Sequence, residues 1–346
     1  MFKDIKQVMK DSVLYGIGNV AVKLVGFILI PLYTDAEYFS TADYGLMGLL
    51  EVTSQILIAV MGLSLYSGLI RWYWDAEYRD KQKTIFFTTL LFTILTSLCI
   101  GSVLWLNVGE LSALLVQQEG YSLGGELPYI LQLLILTSML GAVVEVPQNL
   151  LRLQRKPIYY SLTNIVRLFV TLVLTIYFTI SLHRGVSGVY EAQLVGIVIQ
   201  LLMVLPLVIK NSSCRVDRRC TIQLLAYSYP LVFPAIVGSL LTVFDRYIIN
   251  HFQGLDDVGF YSLGYKVGNT LKVFIVTSVQ LALTPLLMKK MNDPDNKQFY
   301  SKVLTYFSFG LMFCALGLNL FSREGIVWVT TNPDYIEALY VIPFVT

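Results

Sequence analysis

The amino-acid sequence predicts an all-α polytopic membrane protein, a two-lobe helical bundle whose second lobe is incomplete in this chain. Composition, the lengths of the apolar runs and the placement of the basic residues carry that reading. Of the 346 residues 55% are hydrophobic and only 14% charged, where an ordinary soluble domain carries roughly 25% charged residues. One globule cannot hide that much apolar surface, so a bilayer takes up the surplus. Runs near twenty residues match a hydrocarbon core of about 30 Å at about 1.5 Å of helix rise per residue.

Apolar runs between charged or turn-rich breaks place spans at 12–34, 44–70, 84–106, 127–150, 158–182, 189–209, 221–250, 258–288 and 303–321. The first is retained rather than cleaved as a signal peptide, because it is too long for one and continues into Pro31 and Tyr33 without a small-residue cut site. A tenth begins near Pro333, where Tyr335 to Thr346 supplies only about 18 Å of helix against the roughly 30 Å a span requires. Cys99 and Cys314 fall within apolar runs and Cys214 and Cys220 share one basic loop, so no structural disulfide is expected.

Lysine and arginine set the orientation, because loops on the cytoplasmic side hold them in excess. The N-terminus (Lys3, Lys6, Lys10) and the loops 71–83, 151–157, 210–220 and 289–302 hold most of the 25 basic residues, and the intervening loops only Arg184 and Arg323. That alternation puts the N-terminus in the cytoplasm, with Asp35, Glu37, Asp43, Glu110 and Asp257 outside. An internal repeat follows. Tyr33 onward reads Y-x9-D-Y-G-L-x2-L and Tyr247 onward Y-x9-D-V-G-F-x2-L, pairing Asp43 with Asp257, Gly45 with Gly259 and Leu49 with Leu263 at one offset of 214. The repeat divides the chain into an N-terminal six-helix lobe, 1–210, and a partial C-terminal lobe, 221–346.

Lys23, Glu51, Glu145, Arg167, Asp245, Arg246, Lys266 and Lys272 lie inside spans, where each costs about 2.5–3.5 kcal/mol near a helix centre unless it faces protein or water. Four spans carry a polar stripe at helical spacing: Gly16, Asn19 and Lys23; Glu51, Ser54, Gln55 and Gly62; Asn164, Arg167, Thr171 and Thr175; Lys266, Thr270 and Thr277. Small polar stripes are also the surfaces on which membrane helices pack. The charged members favour a cavity, and Lys23, Arg167, Arg246 and Lys266 are expected to line it. Lys272 has apolar stripe neighbours, and Glu145 near the inner end of its span reads as an interfacial carboxylate. Pro230 and Pro234 each remove a helix hydrogen bond just before Asp245 and Arg246, so a gating kink is expected there. Five bases against three acids leave the interior net positive, which suits an anionic cargo with phosphate oxygens. Glu51 and Asp245 either pair with those bases or take up a coupling proton or sodium ion.

The stretches I-P-L-Y-T (30–34), A-D-Y-G-L (42–46), L-I-R-W-Y-W (69–74), D-R-Y-I-I (245–249) and V-G-F-Y-S-L-G-Y-K (258–266) together resemble the polysaccharide biosynthesis, O-antigen flippase family of the multidrug/oligosaccharidyl-lipid/polysaccharide exporter superfamily. The resemblance spans the chain and implies a MATE-like fold, two six-helix lobes across a V-shaped cavity. It further implies transport of undecaprenyl-pyrophosphate-linked oligosaccharide between leaflets of the cytoplasmic membrane by alternating access, beside membrane lipids and a polysaccharide polymerase or assembly machinery as partners. A cation-coupled multidrug antiporter shares the fold, but cationic drugs favour an acidic cavity. A membrane enzyme polymerising or ligating lipid-linked glycans is expected to carry catalytic groups on a large outer loop, and the longest, 107–126, has no His, Arg or Lys. His183 and His251 are isolated, and no metal constellation, phosphate-binding loop or dinucleotide motif occurs. Neither a cofactor nor nucleic acid is expected.

Overall fold

The computed structural model describes residues 26–115, 125–213, 215–277, 279–280 and 296–346; Lys23, Cys214 and most of the first predicted span lie outside the described residues. Every other predicted span begins as a helix, and among the described residues seven helices are long and apolar enough to cross a membrane. Among the described residues there is no strand, as a lipid environment requires of a spanning chain that does not close into a barrel.

The first span ends in a short turn of helix, α1 (Ile30–Tyr33), and the chain re-enters through α2 (Thr41–Gly62). Ser40 caps α2 reciprocally with Asp43: its Oγ accepts from the Asp43 N–H at 3.1 Å and Asp43 Oδ2 accepts from the Ser40 N–H at 2.9 Å. The predicted span 44–70 is not one helix. Leu63 and Ser64 adopt left-handed conformations, φ 45° and 51°, and the chain restarts as α3 (Leu65–Trp72). Two left-handed non-glycine residues cost roughly 1–2 kcal/mol each. Packing holds them there: Thr96 Oγ1 donates to the Met61 carbonyl at 2.7 Å, and Leu65 and Leu69 bury among Ile85, Leu150 and Leu224.

Next come α4 (Gln82–Leu106) and α5 (Val108–Leu115), a helix within the stretch the sequence suggests as the longest loop. Three spans follow: α6 (Leu127–Leu153), α7 (Pro157–Ile176), continued by a π turn over Tyr177–Ser181, and α8 (Gly185–Asn211). Prolines at the starts of α6 and α7 sit where their missing N–H is harmless. Asp217 caps α9 (Arg218–Phe252), whose 35 residues run continuously through Pro230 and Pro234. After Gly254, at φ 101°, α10 (Leu255–Gly268) descends to a π turn over Lys272–Val276. Further on lie α11 (Asn296–Leu320), α12 (Ser322–Val329), a 3-10 helix over Pro333–Tyr340 and α13 (Ile342–Val345). The predicted tenth run thus starts as a 3-10 segment whose Tyr335 ring packs edge-on against Tyr44 and Phe260.

Two apolar cores occupy opposite ends of the bundle. Leu46, Leu49, Ile130, Val189, Leu255 and Leu263 form one at the end of the 253–254 turn, and Leu65, Phe86, Leu151, Leu207 and Leu224 the other, at the end of the basic loops. The repeat explains how the first core closes. A Cβ on Gly45 would lie 1.8 Å from the Leu255 carbonyl oxygen, and one on Gly259 would lie 2.6 Å from that of Thr41. Thr41 and Leu255, like Gly45 and Gly259, are 214 apart, so α2 and α10 cross through reciprocal contacts between equivalent residues. Gly48 meets its own equivalent, Ser262, there, and Thr41 Oγ1 donates to the Asp256 carboxylate.

Candidate functional site

Asp245 and Arg246 follow each other on α9 and point roughly 100° apart, so they do not bond side chain to side chain. Asp245 accepts from the Tyr261 hydroxyl and, at 2.8 Å, from the Arg246 N–H. Arg246 lies against α10: its Nε donates to Ser262 Oγ at 3.2 Å, and its guanidinium carbon is 4.9 Å from the Tyr265 ring centre and 5.9 Å from that of Tyr261. Ring faces in this position offset part of the desolvation of a buried cation, by roughly 0.5–2 kcal/mol each. Arg246 is only 9% exposed. Four residues, one helical turn, beyond Ser262 on α10 comes Lys266, whose Nζ reaches to 3.7 Å from where a Cβ on Gly26 would stand.

Between α2, α9, α10 and the 26–33 segment lies a cavity of about 520 Å³, within the usual range of small-molecule sites. Arg246 and Lys266 line it together with Glu51, Gln55, Tyr265 and Asn269. Glu51 and Gln55 project from α2 and are exposed to the hollow. Among the described residues no carboxylate makes a salt bridge with Arg246 or Lys266. Among the described residues the cavity thus holds two cations against one carboxylate, with neutral donors and aromatic faces around them. It can take an anion whose oxygens accept from a guanidinium and an ammonium at once.

The structure brings together Arg246, Lys266 and Glu51 but not Arg167. Arg167 is absent from this cavity's lining. It lies in the α7–α8 seam, its Nη1 donating to Gln200 Oε1 at 3.1 Å while Gln200 Nε2 donates to Asn164 Oδ1 at 2.9 Å. Thr171 of the same stripe fills the space over Gly196 on α8. The fifth span's stripe is therefore a packing seam in which long polar side chains satisfy one another, whereas the α2 stripe turns Glu51 and Gln55 into the cavity. Asp245 stands beside the cavity rather than on its wall, bonded to the Tyr261 hydroxyl and the Arg246 backbone. Pro234 lines a second hollow with Gly238, and Pro230 does not. Lys272 is exposed. Glu145 lines that second hollow. Sequence reasoning passed over Tyr261, Ser262 and Tyr265. Their spacing around Lys266 is visible in Y-S-L-G-Y-K, but tyrosines near span ends read first as interfacial anchors.

A family model described as polysaccharide biosynthesis protein matches residues 8–291. The fold is similar to that of an inward-facing multidrug resistance MATE family transporter of the MOP superfamily, with a TM-score of 0.67 and 16% identity over 96% of this chain and 77% of that one. It is also similar to the MATE multidrug transporter DinF-BH, at 0.68 and 15% identity over 94% and 78%. A mutant of the Vibrio cholerae MATE transporter VcmN aligns at 0.63 and 15% identity over 98% and 78%. At these identities the likeness establishes the fold, a MATE-like helical bundle. No curated protein matches the sequence. With most of its length matched by the family model and seven membrane-length helices in a MATE-like arrangement, this integral membrane protein belongs to the polysaccharide biosynthesis protein family.

Proposed function

We propose that this protein is a flippase of the cytoplasmic membrane that carries undecaprenyl-pyrophosphate-linked oligosaccharide to the outer leaflet for polysaccharide or O-antigen export, performing no chemistry on its cargo. The observation that carries the reading is a cavity between helices of a membrane protein that holds Arg246 and Lys266 with no salt-bridged carboxylate among the described residues. Such cations are expensive in lipid and mark a substrate path. A pyrophosphate answers their charge and its oxygens suit the Arg246 fork. Tyr265 and the neighbouring aromatic residues offer faces for a sugar ring. The basic loops orient the N-terminus to the cytoplasm, so the α2–α10 crossing closes the outer side and the cargo loads from the inner one. The lobes of 1–210 and 221–346 are the bodies that move about it, and a polysaccharide polymerase or assembly complex takes over the delivered lipid.

In proteoliposomes loaded with a fluorescent lipid-pyrophosphate oligosaccharide, Arg246→Ala and Lys266→Ala are expected to lower translocation at least about tenfold, the effect of losing one charge-assisted contact of about 1.5–3 kcal/mol, with insertion intact. Wild-type rates in both variants remove the cavity from the path. The exposed carboxylate of Glu51 in the same hollow supports a second reading, a cation-coupled multidrug antiporter. Under it, Glu51→Gln abolishes export of a cationic dye and Arg246→Ala leaves export intact.

A further inference from the structure

Asp245 is a carboxylate beside the first cavity to which the anion site gives no task. It precedes Arg246 in the chain, yet among the described residues no salt bridge joins it to that guanidinium or to any other base. Its two oxygens are engaged otherwise: Oδ1 accepts from the Arg246 backbone N–H at 2.8 Å and Oδ2 from the Tyr261 hydroxyl. Tyr261 stands one position before Ser262 and one helical turn before Tyr265 on α10, and all three meet the Arg246 side chain. The path therefore closes on itself, from Asp245 on α9 to Tyr261 on α10 and back to Arg246 on α9.

Arginine carries its five N–H donors in a planar fork, and the direction of that plane must be fixed for two parallel bonds to reach one ligand. Here Nε is taken by Ser262 at 3.2 Å, and Ser262 is itself wedged against α2, where its Oγ leaves no room for a Cβ on Gly48. The rings of Tyr265 and Tyr261, with centres 6.0 Å apart, face the guanidinium carbon at 4.9 Å and 5.9 Å. Among the described residues Nη1 and Nη2 donate to nothing, and Arg246 lines the cavity. The outer edge of the fork is thus what the hollow is offered. The Tyr261 hydroxyl bond keeps its ring from turning away from the cation. It also keeps the acid close enough to lessen the cost of burying that cation while occupying none of its side-chain donors.

We propose that Asp245 is a positioning residue for Arg246: through the Tyr261 hydroxyl it fixes the aromatic wall against which the guanidinium lies, so that the cavity presents a pre-oriented fork to two oxygens of one phosphoryl group. The proposal rests on the anion reading of that cavity and adds to it a group that never touches the cargo. Calorimetric titration of inorganic pyrophosphate into the full chain in phosphatidylcholine nanodiscs is the test. Asp245→Ala and Tyr261→Phe should each weaken binding about fivefold, the scale of one ordinary hydrogen bond, and the double variant no further than either alone. Asp245→Asn, whose amide oxygen accepts the same hydroxyl, should stay within about twofold of the parent. Asp245→Ala should exert its full effect in a Lys266→Ala background and none on the residual binding of Arg246→Ala, a pattern that general loss of stability does not produce. Tyr261→Phe, which keeps the ring, carries the test if Asp245→Ala does not fold. Absence of binding by the parent, or unchanged binding in Arg246→Ala, overturns the anion reading and the proposal with it. Binding that Arg246→Ala weakens but neither Asp245→Ala nor Tyr261→Phe alters overturns the proposal alone. So does Asp245→Asn falling as far as Asp245→Ala, which makes negative charge rather than position the operative property.

Discussion

Replacing Gly45 by alanine tests the α2–α10 crossing directly. The new methyl carbon would stand 1.8 Å from the Leu255 carbonyl oxygen, 2.8 Å from its carbon and 3.0 Å from the Gly259 nitrogen. These are backbone atoms, so no side chain can swing aside, and restoring a contact near 3.5 Å requires the helices to part by about 1.7 Å. Overpacking of this kind costs typically 1–3 kcal/mol. The penalty falls only on the conformation in which the helices touch, so the ratio of closed to open forms should drop roughly 5-fold to 150-fold. Ser262, facing Gly48 in the seam and 7% exposed, reports it. In a background with the four native cysteines replaced by serine, Ser262→Cys should react with an impermeant maleimide faster by that factor when Gly45→Ala is added. Gly310→Ala, whose methyl meets nothing within 4 Å, should leave the rate unchanged. An unaltered labelling rate and thermal midpoint in Gly45→Ala would refute the reasoning that this contact is tight and state-specific.

Arg167→Ala should lower stability by about 1–3 kcal/mol by stranding the Gln200 carbonyl oxygen inside the α7–α8 seam, with cargo affinity unchanged; thermal melts beside binding isotherms separate the two effects. At the basic end, Lys81 Nζ bonds Asp217 Oδ2 at 2.6 Å, while Asp217 Oδ1 accepts from the Arg219 N–H at 2.9 Å to cap α9. Asp217→Ala, which loses pair and cap, should therefore reduce the melting midpoint more than Lys81→Ala, which loses an exposed pair only. The Lys81 ammonium holds the Asp217 carboxyl below the usual range, and that hydrogen bond holds the ammonium above its own. The carboxyl's contribution is present above its unfolded value and lost as pH falls through the depressed folded one; the ammonium's is present below its unfolded value and lost as pH rises through the raised one. The midpoint difference between Lys81→Ala and the parent should thus hold between roughly pH 4 and 10 and fade outside.

Much of the architecture was legible because hydrophobicity is read one residue at a time. The apolar runs located the spans, and glycine and aspartate at a fixed offset marked the repeat that becomes the α2–α10 crossing. The helix break at Leu63–Ser64 was not legible, since neither residue is a helix breaker; Thr96 on another helix and the Leu224 contact hold a conformation the local sequence disfavours. For the same reason the stripes of α2 and α7 looked equivalent. Nothing in the pattern of Arg167 says that Gln200, thirty-three positions away, waits to accept its hydrogen bond.

By itself, then, the sequence determined that this chain lives in a bilayer, which end carries the basic loops and which charges are too costly to face lipid. Each is a transfer free energy that depends on residue type and depth alone. Which of those charges share a hollow was decided only in three dimensions, because pairing depends on helix rotation and crossing geometry. Rotation put Arg246 beside Tyr265 and Lys266 but sent Arg167 into a seam, and the broken end of α2 set Glu145 in a cavity without a base.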